Sequence, residues 1–229
     1  MIAIISDIHG NLPALQAVLK KIASLGCENV LSLGDVVGYY AQPGECIDLL
    51  RLNKIPNIMG NHDSYIVNGT NCSRSKIVSE IIDYQRKIIT PDQVKWLSES
   101  TSCIIENGDY FTHGSWKDMI DGYLYNVSPS DFPQGAIHFF AGHTHVQSLI
   151  KIKGQTFCNP GSVGQPRDGD PRAAFATLSD NEVILHRVEY DIDLAAYQMK
   201  KAGFPEYCYK NLYLGAQIGG RIDRITINS

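Results

Sequence analysis

The 229 residues are 44% hydrophobic and 19% charged, with a formal net charge of −4. That is enough apolar material for the core of one domain of ordinary to large size, and it excludes a disordered chain. The densest basic stretches are pairs such as Lys20-Lys21, Arg86-Lys87 and Lys200-Lys201, which read as solvated helix faces and not as a surface for nucleic-acid polymers.

Six cysteines, at positions 27, 46, 72, 103, 158 and 208, include no Cys-x-x-Cys pair. Free, reduced thiols are expected, since disulfide scaffolds are short and cysteine-dense and thiolate zinc sites need close pairs. Met1 leads directly into a short apolar run, which lacks the pattern of a secretory leader. No stretch approaches the ~20 apolar residues of a membrane span. A cytoplasmic protein with no membrane partner is expected.

In chain order, Ile2–Ser6 reads as a buried strand. Leu12–Leu25 follows as a helix, with apolar residues at 12, 15, 18, 19, 22 and 25, Asn11 as N-cap and Gly26 as the stop. Asn29–Leu33 is a second strand, Pro43–Leu52 a second helix and Ile55–Met59 a third strand. This alternation implies parallel pairing with right-handed crossovers. Ser64–Ser100 breaks the alternation and reads as a helical insertion over the strand ends, with helices at Ser75–Ile89 and Pro91–Leu97. Strands then dominate: Thr101–Glu106, Tyr110–His113, Ala136–Ala141, Val146–Lys151, Gln155–Cys158, Ala173–Leu178 and Glu182–Glu189. Turn signals such as Asn107-Gly108-Asp109 and Lys153-Gly154 separate them, so this half predicts a second, largely antiparallel-connected sheet. Asp191–Ala202 reads as a closing helix, and Phe204–Ser229 is a tail without a pattern.

In open α/β sheets, ligands bind outside the carboxyl ends of the strands. The residues there are Asp7 and His9, Gly34-Asp35, and Gly60-Asn61-His62-Asp63. The run before Ala141-Gly142-His143-Thr144-His145 is apolar too, and residues i and i+2 of an extended chain point to the same side. Five of the seven histidines (9, 62, 113, 143, 145) sit at strand ends, whereas His138 and His186 lie inside strands and read as structural. With Asp7, Asp35 and Asn61, these are too many ligands for one tetrahedral zinc, and they suit two octahedral-like ions sharing a carboxylate.

Five blocks in order, Asp7-Ile8-His9, Gly34-Asp35, Gly60-Asn61-His62-Asp63, Thr112-His113-Gly114 and Gly142-His143-Thr144-His145, resemble the calcineurin-like metallophosphoesterase superfamily over about residues 1–190. Asn159–Arg167 makes the chain most similar to its small bacterial and archaeal phosphodiesterase branch. The resemblance implies an α/β fold, a four-layer αββα sandwich of two mixed sheets flanked by helices. It puts Asp7, His9 and His145 on one metal, Asn61, His113 and His143 on a second, and Asp35 between them. It puts His62 beside the leaving oxygen, as a proton donor or a positive charge.

Such a site suits an anionic ester. Two divalent ions bring four positive charges and Asp7 and Asp35 return two, leaving about +2 by formal count. Ions ~3.5–4 Å apart can share a hydroxide and clamp the attacking and leaving oxygens. Imidazole and carboxamide ligands favour Mn first, with Fe, Zn, Ni or Co possible, over Mg or Ca. Arg167 is a candidate for a substrate phosphate or for an ion pair with Asp168 or Asp170. Asp63 is placed to orient His62, and Tyr39, Tyr40, Tyr65 and Trp116 are candidates to stack on a nucleobase. The expected activity is phosphodiester hydrolysis of a small phosphoester or nucleotide. Alternatives are a dinucleoside polyphosphate hydrolase and a non-enzymatic interaction scaffold on the same fold.

Overall fold

The computed structural model describes residues 1–228. β1 (Ile2–Ile5), α1 (Leu12–Ser24), β2 (Asn29–Ser32) and α2 (Pro43–Leu52) form the expected parallel crossover, with Ile4 opposite Leu31. Asn11 caps α1 as expected, its side chain accepting from the Ala14 amide at 3.3 Å. The third expected strand, Ile55–Met59, makes only isolated bridges, Asn57 to Ser32 and Ile58 to Thr101. Pro56 lacks an N–H, so this segment cannot build a full ladder. It instead stitches the edge of one sheet to the edge of the other.

The chain then forms α3 (Asn61–Asn68), α4 (Lys76–Ile88) and α5 (Pro91–Ser98). The helical segment thus begins at Asn61, inside the Gly-Asn-His-Asp block and three residues before the expected start. The remaining strands are β3 (Cys103–Glu106), β4 (Asp109–Thr112), β5 (Asn126–Val127), β6 (His138–Ala141), β7 (Ser148–Ile152), β8 (Gln155–Asn159), β9 (Ala173–Ser179) and β10 (Glu182–Val188). They do not share one antiparallel sheet. β9 and β10 cross back to the first sheet, in the order β10-β9-β1-β2, while β3-β4-β6-β8-β7 forms the second. Within the second sheet β4, β6 and β8 run parallel. β9 is apolar on both faces, as a central strand must be.

The two sheets pack face to face. Ile4, Leu31, Ala176 and Leu178 of the first meet Phe111, Phe140 and Cys158 of the second. Alternate residues turn outward, as a period of two requires. Ala3 and Ile5 pack under α1 and α2 with Leu15, Val18 and Ile47. Phe139, Ala141 and Phe157 are covered by Leu124, Val127 and Phe132, so a loop with one short strand forms that outer layer. α6 (Ile192–Lys201) lies beside α1. The tail is ordered by two 3-10 turns, Glu206–Cys208 and Lys210–Leu214, and by β11 (Thr226–Ile227), which pairs with β5. Cys208 and Leu212 close a small core with Tyr40, Ala195 and Met199. Ser229 lies outside the described residues. No helix among the described residues is long and apolar enough to cross a membrane.

Phe140 is fully buried between the sheets and stacked on Phe111 at 4.9 Å. Phe140→Ala is expected to lower unfolding free energy by about 3–5 kcal/mol, as for other buried aromatics, read from the urea transition. A loss below about 1 kcal/mol would show that the two sheets do not depend on this contact.

Candidate metal centre

The loops at the carboxyl ends of the strands are zipped together by backbone hydrogen bonds. The Asp7 amide donates to Gly34 O at 3.0 Å and the His9 amide to Asp35 O at 2.9 Å. The Asn159–Arg167 loop joins the same layer. Val163 N donates to Ser6 O and Gly164 N to Asp7 O, both at 2.9 Å, while Asn159 Nδ2 donates to Gly142 O at 2.7 Å. Gly142 lies against β1 so closely that an added Cβ would sit 2.0 Å from Ser6 Oγ and 2.8 Å from an Asp7 carboxylate oxygen.

Asp7, His9, Asp35, His143 and His145 all have φ between 54° and 63°. This left-handed region is uncommon for side-chain-bearing residues and concentrates at functional sites. The paired side chains therefore converge through bends, not through the extended geometry expected of a strand end.

Three overlapping groups of ligand-type atoms result: Asp7, His9 and His145; His9, Asp35 and His62; and Asp35, His113 and His143. Within each, the atoms lie within 4.8 Å of one another. Asp35 Oδ2 stands between two imidazoles, 3.6 Å from His9 Nε2 and 3.4 Å from His113 Nε2. Asn61 Oδ1 is 3.3 Å from His113 Nε2. His143 and His145, two residues apart, thus enter different groups.

The donor set fits cations. His9, His113 and His145 each direct Nδ1 to a backbone carbonyl, of Val37 at 2.8 Å, Leu33 at 3.0 Å and Gln165 at 2.7 Å. An Nδ1–H that donates there leaves Nε2 as a lone pair aimed into the site, the arrangement that presets imidazole for metal binding. Two such lone pairs, on His9 and His145, face each other at 3.1 Å. Asp7 Oδ1, 3.2 Å from His145 Nε2, has no hydrogen-bond donor. Opposed acceptors in a buried site repel unless a cation lies among them. The protonation behaviour points the same way. Burial opposes charge on His113, yet Asp35 beside it pushes its imidazole up to about 9, so a proton is drawn to where a metal would sit. Burial first, and then the neighbouring imidazoles, push His9 and His143 down, and His62 down to about 4, against the pull of Asp35.

The structure corrects the reading of Asp63. Its carboxylate does not hold His62; it accepts from the amides of Asp35 and Val36 at 2.9 Å and of Val37 at 3.2 Å. It clamps the loop that carries Asp35. His62 instead packs among the rings of His9, Tyr39 and Tyr65, with its amide donating to Asp35 Oδ1 at 2.9 Å. His138 and His186 are structural, bonded to Asp109 and Thr177. Tyr40 is buried beneath the tail, and Trp116 packs on Tyr110 at the outer face of the second sheet, so neither is placed to stack on a ligand.

Arg167 is 5% exposed and forms no ion pair with its neighbours in sequence, because Asp168 pairs with Arg187 and Asp170 with Arg172. Its Nε and Nη2 donate to Gln165 Oε1 at 3.0 and 2.6 Å, and its guanidinium lies over the Tyr39 ring. It opens on a cleft of about 360 Å³ shared with Asn61, His62 and Tyr39. Arg74, Tyr123, Tyr125, Gln217 and Arg221 also line this cleft. No motif marks these five, because they lie on loops and in the tail. A larger cavity, about 1060 Å³, opens at the opposite end of β1 and β2, but its lining holds no histidine.

The family model described as the calcineurin-like phosphoesterase superfamily domain matches residues 1–181. An uncharacterized protein of Methanocaldococcus jannaschii, MJ0912, is 33% identical, over 94% of this chain and 98% of its own. Phosphodiesterase YfcE of Escherichia coli is 29% identical, over 78% of this chain and 86% of its own. The crystal structure of a metallophosphoesterase from Sphaerobacter thermophilus superposes with a TM-score of 0.81 at 32% identity, covering 93% of this chain and 99% of that one. The match takes in the second sheet, all of the first sheet except its edge strand β10, and every strand-end loop that carries a clustered side chain, so the chain belongs to the calcineurin-like phosphoesterase superfamily and is a phosphoric ester hydrolase.

Proposed function

We propose that the protein is a dinuclear metal-dependent phosphodiesterase of the cytoplasm that cleaves a small phosphoester or nucleotide. The observation that carries this reading is that Asp35 stands between His9 of one buried group of cation-seeking atoms and His113 of another, beside a buried arginine with no carboxylate partner. Asp7 Oδ1, His9 Nε2 and His145 Nε2 would hold one ion, Asn61 Oδ1, His113 Nε2 and His143 Nδ1 the other, and Asp35 both. When bound, two divalent ions supply positive charge for phosphate oxygens and lower the pKa of bound water. The mixed nitrogen and oxygen donor set suits Mn, Fe, Zn, Co or Ni better than Mg or Ca, with Mn the first choice.

The protein's own groups do the rest. Arg167 presents donors to a non-bridging phosphate oxygen, and its burial strengthens that contact. Asp63 fixes the backbone that aims Asp35. Burial keeps His62 neutral at pH 7, so it acts on the leaving oxygen as an N–H donor. A cleft of about 360 Å³ suits one ester group of a small molecule and not a polymer. The 29% identity to a protein named a phosphodiesterase supports the choice of diester over monoester.

Hydrolysis of bis(4-nitrophenyl) phosphate with Mn²⁺ is expected, abolished by chelation and reduced at least about 10³-fold by Asp35→Asn; full activity in that variant would sink the dinuclear reading. His62→Ala is expected to lower kcat by about 10²-fold or more with little change in KM. His62→Gln, which keeps a neutral N–H donor, should retain most of what alanine loses, and equal loss in both would instead require a protonated His62. His143→Ala and His145→Ala should each leave one of the two ions bound, read as metal content per chain. Loss of both ions, or of neither, from each variant would contradict the assignment of the two histidines to different ions.

A further inference from the structure

The family match ends at residue 181, yet one wall of the cleft comes from beyond it. Gln217, Ile218 and Arg221 face the same space as Asn61, His62 and Arg167. This part of the tail is anchored where it matters. Buried Asn211 donates to the Tyr40 hydroxyl at 3.2 Å, Gln165 Nε2 donates to the same hydroxyl at 3.0 Å, and the other end of that Gln165 amide receives Arg167. The Asp223 amide donates to Arg167 O at 2.7 Å, and the Asp223 carboxylate accepts from Tyr125, Gln217 and Arg221.

The lining has two chemistries. In a chain of formal charge −4, Arg74, Arg167 and Arg221 converge on one small cleft. Arg74 and Arg221 each meet a single carboxylate, of Asp121 and Asp223, which leaves N–H edges of both guanidinium groups for an anion. Aromatic rings supply the rest. Tyr123 lies 3.9 Å from the His143 imidazole and nearly parallel to Tyr125 at 5.4 Å, so a ladder of rings leads from the metal centre to the tail. Phenol and guanidinium faces stack on a planar ring, while the guanidinium edges take an anion attached to it.

We propose that the tail, through Gln217 and Arg221, forms a specificity wall that selects an ester group bearing both an aromatic ring and an anion, that is, a nucleotide. The phosphodiesterase reading locates the scissile phosphate, and the proposal rests on it for that point alone. The tail thus adds a specificity wall, from outside the stretch that carries the ligand blocks, to a cleft whose other side holds Arg74, Tyr123 and Tyr125.

Calorimetric titration of the Mn²⁺-loaded full chain with adenosine 5′-monophosphate and with ribose 5-phosphate tests the wall without requiring turnover. Adenosine monophosphate should bind about tenfold or more tightly than ribose 5-phosphate. Arg221→Ala should remove most of that preference, whereas Arg51→Ala, an exposed guanidinium on α2, should not. Equal affinity for the two ligands, or an Arg221→Ala effect equal on both, would overturn the proposal. If the preference is found but no phosphodiester is hydrolysed, the wall stands and the phosphodiesterase reading falls.

Discussion

Buried acceptor atoms pointing at one another are the constraint on which the rest of this structure depends. Asp7, Asp35, His9, His113 and His145 are at most 2% exposed, and their carboxylate oxygens and imidazole nitrogens converge within a few ångströms. In an interior of low dielectric such convergence is costly unless cations are present. The fold holds it in place with rigid outward bonds. Three imidazoles are tied by Nδ1 to carbonyls, the Asp35 loop is clamped by Asp63, and the Asn159–Arg167 loop laces β1 to the Gly142–His145 bend. The left-handed backbone of Asp7, His9, Asp35, His143 and His145 is strain that the same bonds keep fixed.

This explains why the clustering of these ligand-type side chains could be read from the residues alone. Each ligand block is local, two to four residues at the end of an apolar run, and the chemistry allows few residue types there. The long-range partners left no such trace. Asp63 is next to His62 in sequence, which suggested a contact, but its carboxylate turns to the amides of Asp35, Val36 and Val37. The same limit appears in the fold. α1, with its N-cap and period, matched closely, whereas β9 and β10 joined the first sheet although their own patterns describe only burial. Ile55–Met59 has the composition of a strand, but Pro56 and its position between two sheet edges reduce it to single bridges.

The tail shows the limit most plainly. Phe204–Asn228 has no sustained period because its order comes from contacts with distant residues: Asn211 with Tyr40, Asp223 with Arg167, Thr226 with Asn126. Arg167 was ambiguous for the same reason. Two aspartates within three positions offered an ion pair, and only the structure shows them taken by Arg187 and Arg172. What remains is a buried guanidinium whose partners are an amide oxygen and a ring.

A buried cation without a carboxylate and buried carboxylates without enough donors are the same kind of deficit with opposite sign, placed side by side. Neither is stable alone in a dry interior, and folding does not let them neutralise each other, because Arg167 is held against Gln165 and Tyr39 while Asp7 and Asp35 are held among imidazoles. The separation keeps the two deficits in adjacent places, so cations on one side and an anion on the other would each meet the opposite charge. Stability is then linked to occupancy, since whatever binds only the folded chain stabilises it. The cost of building the site and any affinity it has for cations and an anion would therefore have one origin, the desolvation of groups that the two sheets and the tail hold apart.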